Sequence, residues 1–454
     1  MAGRFLFKRA ALSLIAAALS IGLLACSATT SPSDEPVTIS LWHVYGSQTE
    51  SPLNDLVAEF NATIGAEEGI VVNVTSVTDS DSIDEALAAA ANDEPGSAAL
   101  PDLFTAYPRV LDIVGFERLL AWDEYLSPEE LEAYVDGFVA EGYFGGALLM
   151  LPIAKSTEML FLNETLFDRF AAEAGADVED LASFETLLPL CERYADWSDG
   201  QALFQVNDYY HYFLAVASAQ GESLVRDGKL DLEDAWFEDA WLPLARAGIS
   251  GGLVVGEGYA SDRWKTGEVL CNVGSTAGIL YLRDYVTYAD GSTEDIDTAV
   301  LPYPAFDDGA TVVIQRGCGL FAMESDDARE NQAMATFARW ITLGESNAAF
   351  ATSAGYLPVT EDAFDHLMAN TQGLDEPKYR MLYETAAEYT EYAFCTAPVF
   401  EGAGDMQDGF ESAVKAVLLD ARAEYASLLA TGMGRQAAMR QAAEASLEAL
   451  RQTL

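Results

Sequence analysis

The sequence predicts an α/β fold divided into two lobes, on the strength of three observations. Compact apolar runs rich in β-branched residues alternate with segments whose apolar residues recur at helical spacing. The chain has 454 residues, half of them hydrophobic, which is enough for two or three cores. No Gly, Pro or Ser-rich linker separates its halves, so we expect lobes joined by several chain crossings.

The first lobe opens with a strand–helix–strand–helix–strand pattern. Residues 37–42 (VTISLW), 70–77 and 102–107 (DLFTAY) are predicted strands. Between them, 53–60 and 83–91 have the periodicity of amphipathic helices. Such alternation predicts a sheet with ligand loops at its strand ends.

After Gly145-Gly146 a second unit begins. Its predicted segments, in chain order, are strands at 147–153 and 158–163, helices through about 247, a strand at 312–323, an amphipathic helix at 329–343, and an almost wholly helical stretch from 361 onward.

The N-terminus has the pattern of an exported lipoprotein. Positive residues precede an uncharged stretch at 10–24, which fits a signal peptide and is short for a membrane span. The stretch ends in Leu-Leu-Ala-Cys, which resembles the bacterial lipobox, so Cys26 is the predicted lipidation site. Residues 26–36 form a polar tether.

Four further cysteines leave the question of disulfides open. Their even number in an exported chain permits two bridges, and free buried thiols explain them equally well. They are Cys191, Cys271, Cys318 and Cys395.

Charge excludes several classes of function. The chain has 73 Asp and Glu against 24 Lys and Arg, a formal net charge of −49, which disfavours binding to nucleic acid. Three histidines are few for a metal site or a catalytic triad, and we expect neither metal nor cofactor. The abundant carboxylates do not exclude a glycosidase-type acid/base pair.

Six segments resemble one family, the extracellular solute-binding proteins of ABC importers, of the family 1 or maltose-binding type. Their order and spacing carry the resemblance. They are VTISLWH (37–43), LVAEFN (56–61), LPDLFTAY (100–107), KSTEMLFLNETLFDR (155–169), DRWKTGEVLCNVGST (262–276) and AGYLPVTEDAF (354–364).

The resemblance implies a two-lobed periplasmic-binding-protein fold with a ligand cleft and several hinge crossings. We expect those crossings near 151–155, 305–311 and 357–360. The implied divisions are a signal peptide at 1–25, the tether at 26–36, a first lobe of 37–150 with 311–358, and a second lobe of 151–310 with 359–454.

Within the family, the chain looks most like the glycerol-3-phosphate-binding branch. Ser156, Ser275, Gly317 and Tyr356 match four ligand positions of that branch. Three other ligand positions depart, which puts glycerol phosphate itself in doubt; these fall near Ser82 or Ile83, at Pro108, and near Glu401 and Gly402.

Aromatic rings that could stack on sugar faces lie in QVNDYYHY, where Tyr209 and Tyr212 are candidate ligand residues beside Tyr210. His43 is a further candidate. A helix that faces the core is the alternative interpretation for the tyrosines. Trp42 and Trp264 complete the aromatic candidates.

Scarce basic residues lie next to positions associated with the cleft. Lys155 and Arg316, with Arg109, could form a local anion site. Pairing of each cation with one of the many carboxylates is the alternative.

The sequence therefore predicts a lipid-anchored binding protein, not an enzyme, that captures a sugar, oligosaccharide or polyol for an ABC permease. An anionic phosphorylated polyol is the alternative ligand. We expect a monomer in the periplasm or on the outer face of the cell membrane. A secreted glycoside hydrolase and an adhesion or scaffold lipoprotein are the rival functions.

Overall fold

Two principal β-sheets organise the chain. The computed structural model describes residues 35–45, 51–78, 80–306, 309–371, 374, 376–389, 392–400 and 402–454. The signal segment and Cys26 lie outside these residues.

The described strands are β1 (Val37–His43), β2 (Ile70–Ser76), β3 (Leu103–Ala106), β4 (Tyr143–Phe144), β5 (Ala147–Leu148), β6 (Leu151–Pro152), β7 (Ser156–Asn163), β8 (Phe204–Val206), β9 (Val225–Arg226), β10 (Lys229–Leu230), β11 (Cys271–Ser275), β12 (Tyr285–Thr287), β13 (Thr293–Asp295), β14 (Thr298–Leu301), β15 (Val312–Arg316), β16 (Gly319–Ala322) and β17 (Ala393–Cys395).

Helices follow eight of the seventeen described strands. They are α1 (Pro52–Ala62), α2 (Ile64–Glu68), α3 (Ser80–Ala91), α4 (Leu111–Val114), α5 (Pro128–Leu131), α6 (Asp136–Ala140), α7 (Glu164–Ala174), α8 (Phe184–Trp197), α9 (Tyr209–Ala219), α10 (Ala235–Ser250), α11 (Ala260–Trp264), α12 (Ala328–Thr342), α13 (Gly344–Ala354), α14 (Glu361–Asn370), α15 (Pro377–Glu388), α16 (Ala403–Ala430) and α17 (Arg435–Thr453).

The first sheet has the strand order β2-β1-β3-β16-β6. β1 pairs in parallel with β2 and β3, and β16 runs antiparallel to β3. Helix α1 covers this sheet because its apolar residues share one face, and Phe60 packs edge-on against Phe337 of α12 at 5.1 Å.

The second sheet is built around β7, in the order β17-β15-β7-β11-β8 with β14 also beside β7. Every residue of β7 is buried, and all but one of them are uncharged. Its charged exception, Glu158, is only 3% exposed and therefore needs a partner inside the protein.

The chain crosses between the sheets at two points, between β6 and β7 and between β15 and β16. A third segment joins them, because Lys155 and Leu357 exchange backbone hydrogen bonds of 3.2 and 2.6 Å. Two of the expected crossings, near 151–155 and 357–360, match this arrangement.

The third expected crossing, at 305–311, is wrong. That segment joins β14 to β15, and both strands pair with β7 in the second sheet. The crossing lies at Gly317–Cys318, where the predicted strand 312–323 is divided into β15 and β16. The division that we expected put 311–358 in the first lobe, whereas β15 pairs with the second sheet.

The break at Gly317 has a steric cause. Its φ is +103°, and a Cβ there would lie 3.0 Å from the carbonyl oxygen of Ala154 and 3.1 Å from Cα of Lys155. Only glycine fits both the backbone conformation and the close approach of the two crossings.

We predict that Gly317→Ala lowers the free energy of unfolding by about 1–3 kcal/mol, because it adds strain and a clash at the crossing. Gly291→Ala is the matched control, since Gly291 has a φ of +82° and a Cβ there would meet no other atom within 4 Å. Denaturant titration of both variants measures the difference. Equal losses for the two variants would show that the close packing at Gly317 does not contribute to the free energy of unfolding.

Candidate functional site

Strand ends from both sheets meet between the lobes, and we call this region the interlobe site. The first sheet contributes Tyr45 and Tyr107, which follow β1 and β3; the second contributes Ser275 and Arg316, which end β11 and β15. Burial raises the pKa of Tyr107 to about 12, and the positive charge of Arg316 opposes that rise. Tyr107 of the first lobe therefore lies close enough to Arg316 of the second to feel its charge.

Tyr356 lies at the centre of an aromatic group in this site. Its ring packs edge-on against Tyr45 with centroids 5.4 Å apart. Burial raises its pKa, and the nearby hydroxyls of Tyr107 and Tyr281 raise it further. Tyr281 belongs to the second lobe and is 49% exposed. The hydroxyl of Tyr45 is buried and has no hydrogen-bond partner among the described residues.

The ammonium group of Lys155 is fully buried between the lobes. Its Nζ donates to Oε2 of Glu141 at 2.5 Å and to the carbonyl oxygen of Gly317 at 2.9 Å. The same Glu141 oxygen accepts from Nε2 of Gln315 at 2.6 Å. Lys155 thus joins the first lobe to β15. Its charge is matched by Glu141 within the protein.

The other two predicted cations are also paired. Arg316 donates to Oε1 of Glu158 at 3.0 Å. Arg109 contacts Asp81 at 2.6 Å and Asp84 at 2.5 Å, both on α3. Each of the three cations therefore has a carboxylate partner, as the alternative interpretation of the sequence held.

The remaining positions matched to the glycerol-3-phosphate branch lie beside the crossings. Ser156 is buried and pairs with Arg316 across β7 and β15. Ser275 is half-buried, and its hydroxyl accepts from the backbone N–H of Ala277, so it caps the short helix at 276–281. Gly317 presents its carbonyl oxygen to Lys155.

The tyrosines predicted as sugar platforms are directed into the core of the second lobe. Tyr209 is buried and donates to the carbonyl oxygen of Val254 at 2.9 Å. Tyr212 is buried, and its ring packs on Phe184 at 5.0 Å. Neighbouring Tyr210 and the candidate Trp264 are buried as well.

His43 is a buried neutral histidine of the first lobe. Its Nδ1 accepts from the backbone N–H of Tyr45 at 3.0 Å, so Nε2 carries the proton that it donates to Asn54 Oδ1 at 2.9 Å. Burial lowers its pKa. His43 therefore fixes the backbone of Tyr45, and the half-buried Trp42 of β1 packs against the buried cluster that includes Phe104 and Phe321.

Four cysteines are free thiols in the structure, which settles the open question of bridges in favour of unpaired cysteines. Burial raises the pKa of Cys318, which lies beside the interlobe site, to about 12. Within the described ranges, no group of acidic, His or Cys side chains could hold a metal ion. No helix among those residues has the length and hydropathy needed to span a bilayer.

Sequence reasoning missed several residues of the interlobe site. Tyr107 directly follows a predicted strand, so its place at a strand end could have been recognised. Glu158 is the one charged residue of a buried strand, which is itself a signal of a buried charge pair. Tyr45 and Tyr281 carry no comparable local signal.

The sequence model for bacterial extracellular solute-binding proteins matches residues 55–374 of the chain. The chain belongs to this family. Members of the family bind solutes and are not enzymes, and they act outside the cytoplasm, as we predicted from the sequence. No curated protein sequence is significantly similar to this solute-binding protein.

Solved structures confirm the predicted two-lobed fold. The cyclic α-maltosyl-1,6-maltose binding protein of Arthrobacter globiformis is 19% identical, with a TM-score of 0.65 over 92% of this chain and 100% of that one. The ABC substrate-binding protein of Listeria monocytogenes in complex with cycloalternan is 15% identical, with a TM-score of 0.65 over 91% and 99%. UgpB of Mycobacterium tuberculosis in complex with glycerophosphocholine is 18% identical, with a TM-score of 0.64 over 92% and 99%. The glycerol-3-phosphate branch stays a prediction.

We predict that Lys155→Met lowers the free energy of unfolding by about 3–5 kcal/mol, because it leaves Glu141 without its counter-charge inside the protein. Adding Glu141→Gln should recover part of that loss. Lys265→Met is the control, since its pair with Asp262 is exposed and should contribute less than about 1 kcal/mol. Chemical denaturation tests this. A Lys155→Met loss no larger than that of Lys265→Met would contradict a structural role for the buried pair.

Proposed function

We propose that this chain is the lipid-anchored substrate-binding protein of an ABC importer, and that it captures a neutral sugar, oligosaccharide or polyol. One observation carries the choice of ligand. The interlobe site combines tyrosine rings with cations that carboxylates already neutralise. Aromatic faces suit the apolar faces of sugar rings, and hydroxyls such as that of Tyr45 can both donate and accept.

The ligands named for the structural neighbours support this choice. Two of the neighbours bind cyclic oligosaccharides, and a third is in complex with glycerophosphocholine. The site contains four tyrosine rings that come from both lobes, an arrangement that suits an oligosaccharide. They are Tyr45, Tyr107, Tyr356 and Tyr281. We propose that, among these residues, Tyr356 makes the most important contact with the solute.

The pairing of Arg109, Lys155 and Arg316 argues against a phosphorylated polyol. A free phosphate attracts unpaired cations, whereas each of these side chains already has a carboxylate within 3.0 Å. To bind a phosphate, the site would have to break one of those pairs. The neutral solute is therefore the ligand that we propose.

Capture follows from the way the lobes are joined. The open state exposes the strand ends of each lobe, and closure adds contacts from the other lobe. A solute stabilises the closed state because only that state offers both sets of contacts. The closed form then docks on the transmembrane subunits of an ABC permease and delivers the solute.

The lipid on Cys26 would hold the protein beside its permease, in the periplasm or on the outer face of the cell membrane, as a monomer. Residues 10–24 supply the export signal. The large negative charge keeps the body soluble and away from anionic lipid, so attachment depends on the lipid and the tether.

We predict that mono- and oligosaccharides raise the melting temperature of the wild-type protein, because a ligand that binds only the native state stabilises it. Tyr356→Ala should weaken affinity about tenfold, whereas Tyr356→Phe should retain most of it because the ring remains. Tyr285→Ala, an exposed tyrosine outside the site, is the control. Calorimetric titration provides the affinities. A thermal shift with glycerol phosphate and none with sugars would overturn the proposed ligand class.

Cys26→Ala should release the protein from the membrane fraction into the soluble fraction of the producing cells, because the cysteine that receives the lipid is lost. Cys395→Ala is the control, since that cysteine belongs to the folded body. Fractionation and immunoblotting distinguish the two. Retention of the Cys26→Ala protein in membranes would disprove the anchor.

A further inference from the structure

Four charged side chains form a continuous row along the interlobe edge of the second sheet. Arg316 Nη1 lies 3.0 Å from Oε1 of Glu158, and the same oxygen lies 3.7 Å from Nδ1 of His211. His211 Nδ1 in turn lies 3.0 Å from Oδ2 of Asp208. We call these residues the charge ladder, in the order Arg316, Glu158, His211, Asp208.

The sequence builds the ladder from three elements. Arg316 ends β15, and Glu158 lies in β7 opposite Ser275 of β11. Asp208 is the N-cap of α9, where Oδ1 accepts from the backbone N–H of His211 at 2.9 Å. One carboxylate oxygen of Asp208 therefore caps the helix, and the other lies within ion-pair distance of the His211 ring.

Exposure differs along the ladder in a regular way. The side chains at its two ends, Arg316 and Asp208, are each 26% exposed. The middle members are more deeply buried, with Glu158 4% and His211 14% exposed. The ladder thus offers solvent a hydrogen-bond donor at one end and an acceptor at the other.

The ladder is charge-balanced when His211 is protonated, with two cations and two anions. Burial alone would lower the pKa of His211, but Asp208 and Glu158 outweigh burial and raise it to about 9. Burial would likewise raise the pKa of Asp208, yet His211 and Arg316 hold it well below its usual range. At neutral pH His211 and Asp208 therefore form an ion pair beside the salt bridge of Arg316 and Glu158.

Glu411 and Cys395 also face the ladder, and Glu411 is the one of these two that changes its charge close to neutral pH. Glu411 of α16 lies behind Asp208, and burial and the Asp208 charge raise the pKa of Glu411 to about 8. Lys415, one turn along the same helix, lies 4.0 Å from Glu411. Cys395 of β17 faces Glu158, and burial raises the pKa of this thiol to about 12, so it is uncharged.

We propose that Arg316 and Asp208 recognise two hydroxyl groups of the solute, and that His211 and Glu158 are positioning residues that hold these two ends in place. This inference rests on the proposed function, whose ligand class it specifies. A polyhydroxy solute can accept from the guanidinium through one hydroxyl oxygen and donate to the carboxylate through another hydroxyl group. Because the ladder is balanced, it favours a neutral polyhydroxy solute over an anion.

The binding test uses full-length protein in detergent and titrates it calorimetrically with maltotriose, cycloalternan and glycerol 3-phosphate. Asp208→Asn retains the helix cap, and Arg316→Lys retains a cation beside Glu158. Each should weaken the affinity for the saccharide that the wild type binds by at least about tenfold. Arg246→Gln removes an exposed pair with Glu192 and should leave affinity unchanged.

The positioning role of His211 is tested by its pH profile. The measurement uses Glu411→Gln protein, which lacks the carboxyl group that titrates near 8 beside Asp208. Its saccharide affinity should be constant between about pH 6 and 8 and weaken as pH rises through about 9, where the His211 cation is lost. Adding His211→Gln should weaken binding at least about tenfold and remove the pH dependence in that window. Adding His366→Gln instead, a change at an exposed histidine of α14, should leave the profile unchanged.

Stability provides a second readout of the same group. The pKa of His211 is raised above its ordinary value of 6.5, so its contribution to stability is complete below that pH and is lost as pH rises through about 9. NMR of labelled histidine observes the titration directly, since the chain has only three histidines. A His211 resonance that titrates near 6.5 would overturn the positioning role.

The outcomes separate the two proposals. If the wild type binds a saccharide and the Asp208→Asn and Arg316→Lys variants bind it equally well, the ladder inference fails and the proposed function stands. If the wild type binds only glycerol 3-phosphate, or binds none of the three probes, the proposed function fails and the ladder inference falls with it.

Discussion

The buried ammonium of Lys155 is the constraint on which the arrangement of the two lobes depends. Its backbone pairs with Leu357, its side chain reaches the carbonyl oxygen of Gly317, and its charge is matched by Glu141. One residue therefore touches both crossings and the third segment beside them. A buried charge without a partner is strongly destabilising, so this contact fixes which groups must adjoin where the chain passes between sheets. The strand ends that form the interlobe site are positioned by the same crossings.

Much of the fold could be predicted from periodicity, because β1, β2, β3 and α1 have their apolar residues on the faces that they bury. The division of 312–323 could not, since it depends on the close approach of Ala154 and Lys155 to Gly317, residues distant in the sequence. The site was predicted only in part. Arg316, Ser275 and Tyr356 lie between the lobes, whereas an aromatic helix such as that of Tyr209 and Tyr212 has the same sequence pattern whether it faces a ligand or a core.

Charged side chains are distributed differently over the surface and in the interlobe site. The excess of carboxylates covers the exterior, but it also supplies a partner for each cation near the interlobe site. These pairs leave tyrosine rings and a balanced row of donors and acceptors, which is the chemistry of a polyhydroxy solute. Neither the net charge nor the count of basic residues could reveal this balance, because it depends on which carboxylate lies beside which cation.

We propose that a neutral saccharide is bound between two lobes that close on it. Small-angle scattering of the protein with and without the saccharide that raises its melting temperature tests this most directly. We expect a smaller radius of gyration at saturating saccharide, because closure brings the lobes together. An unchanged radius of gyration at saturation would contradict closure as the mode of capture.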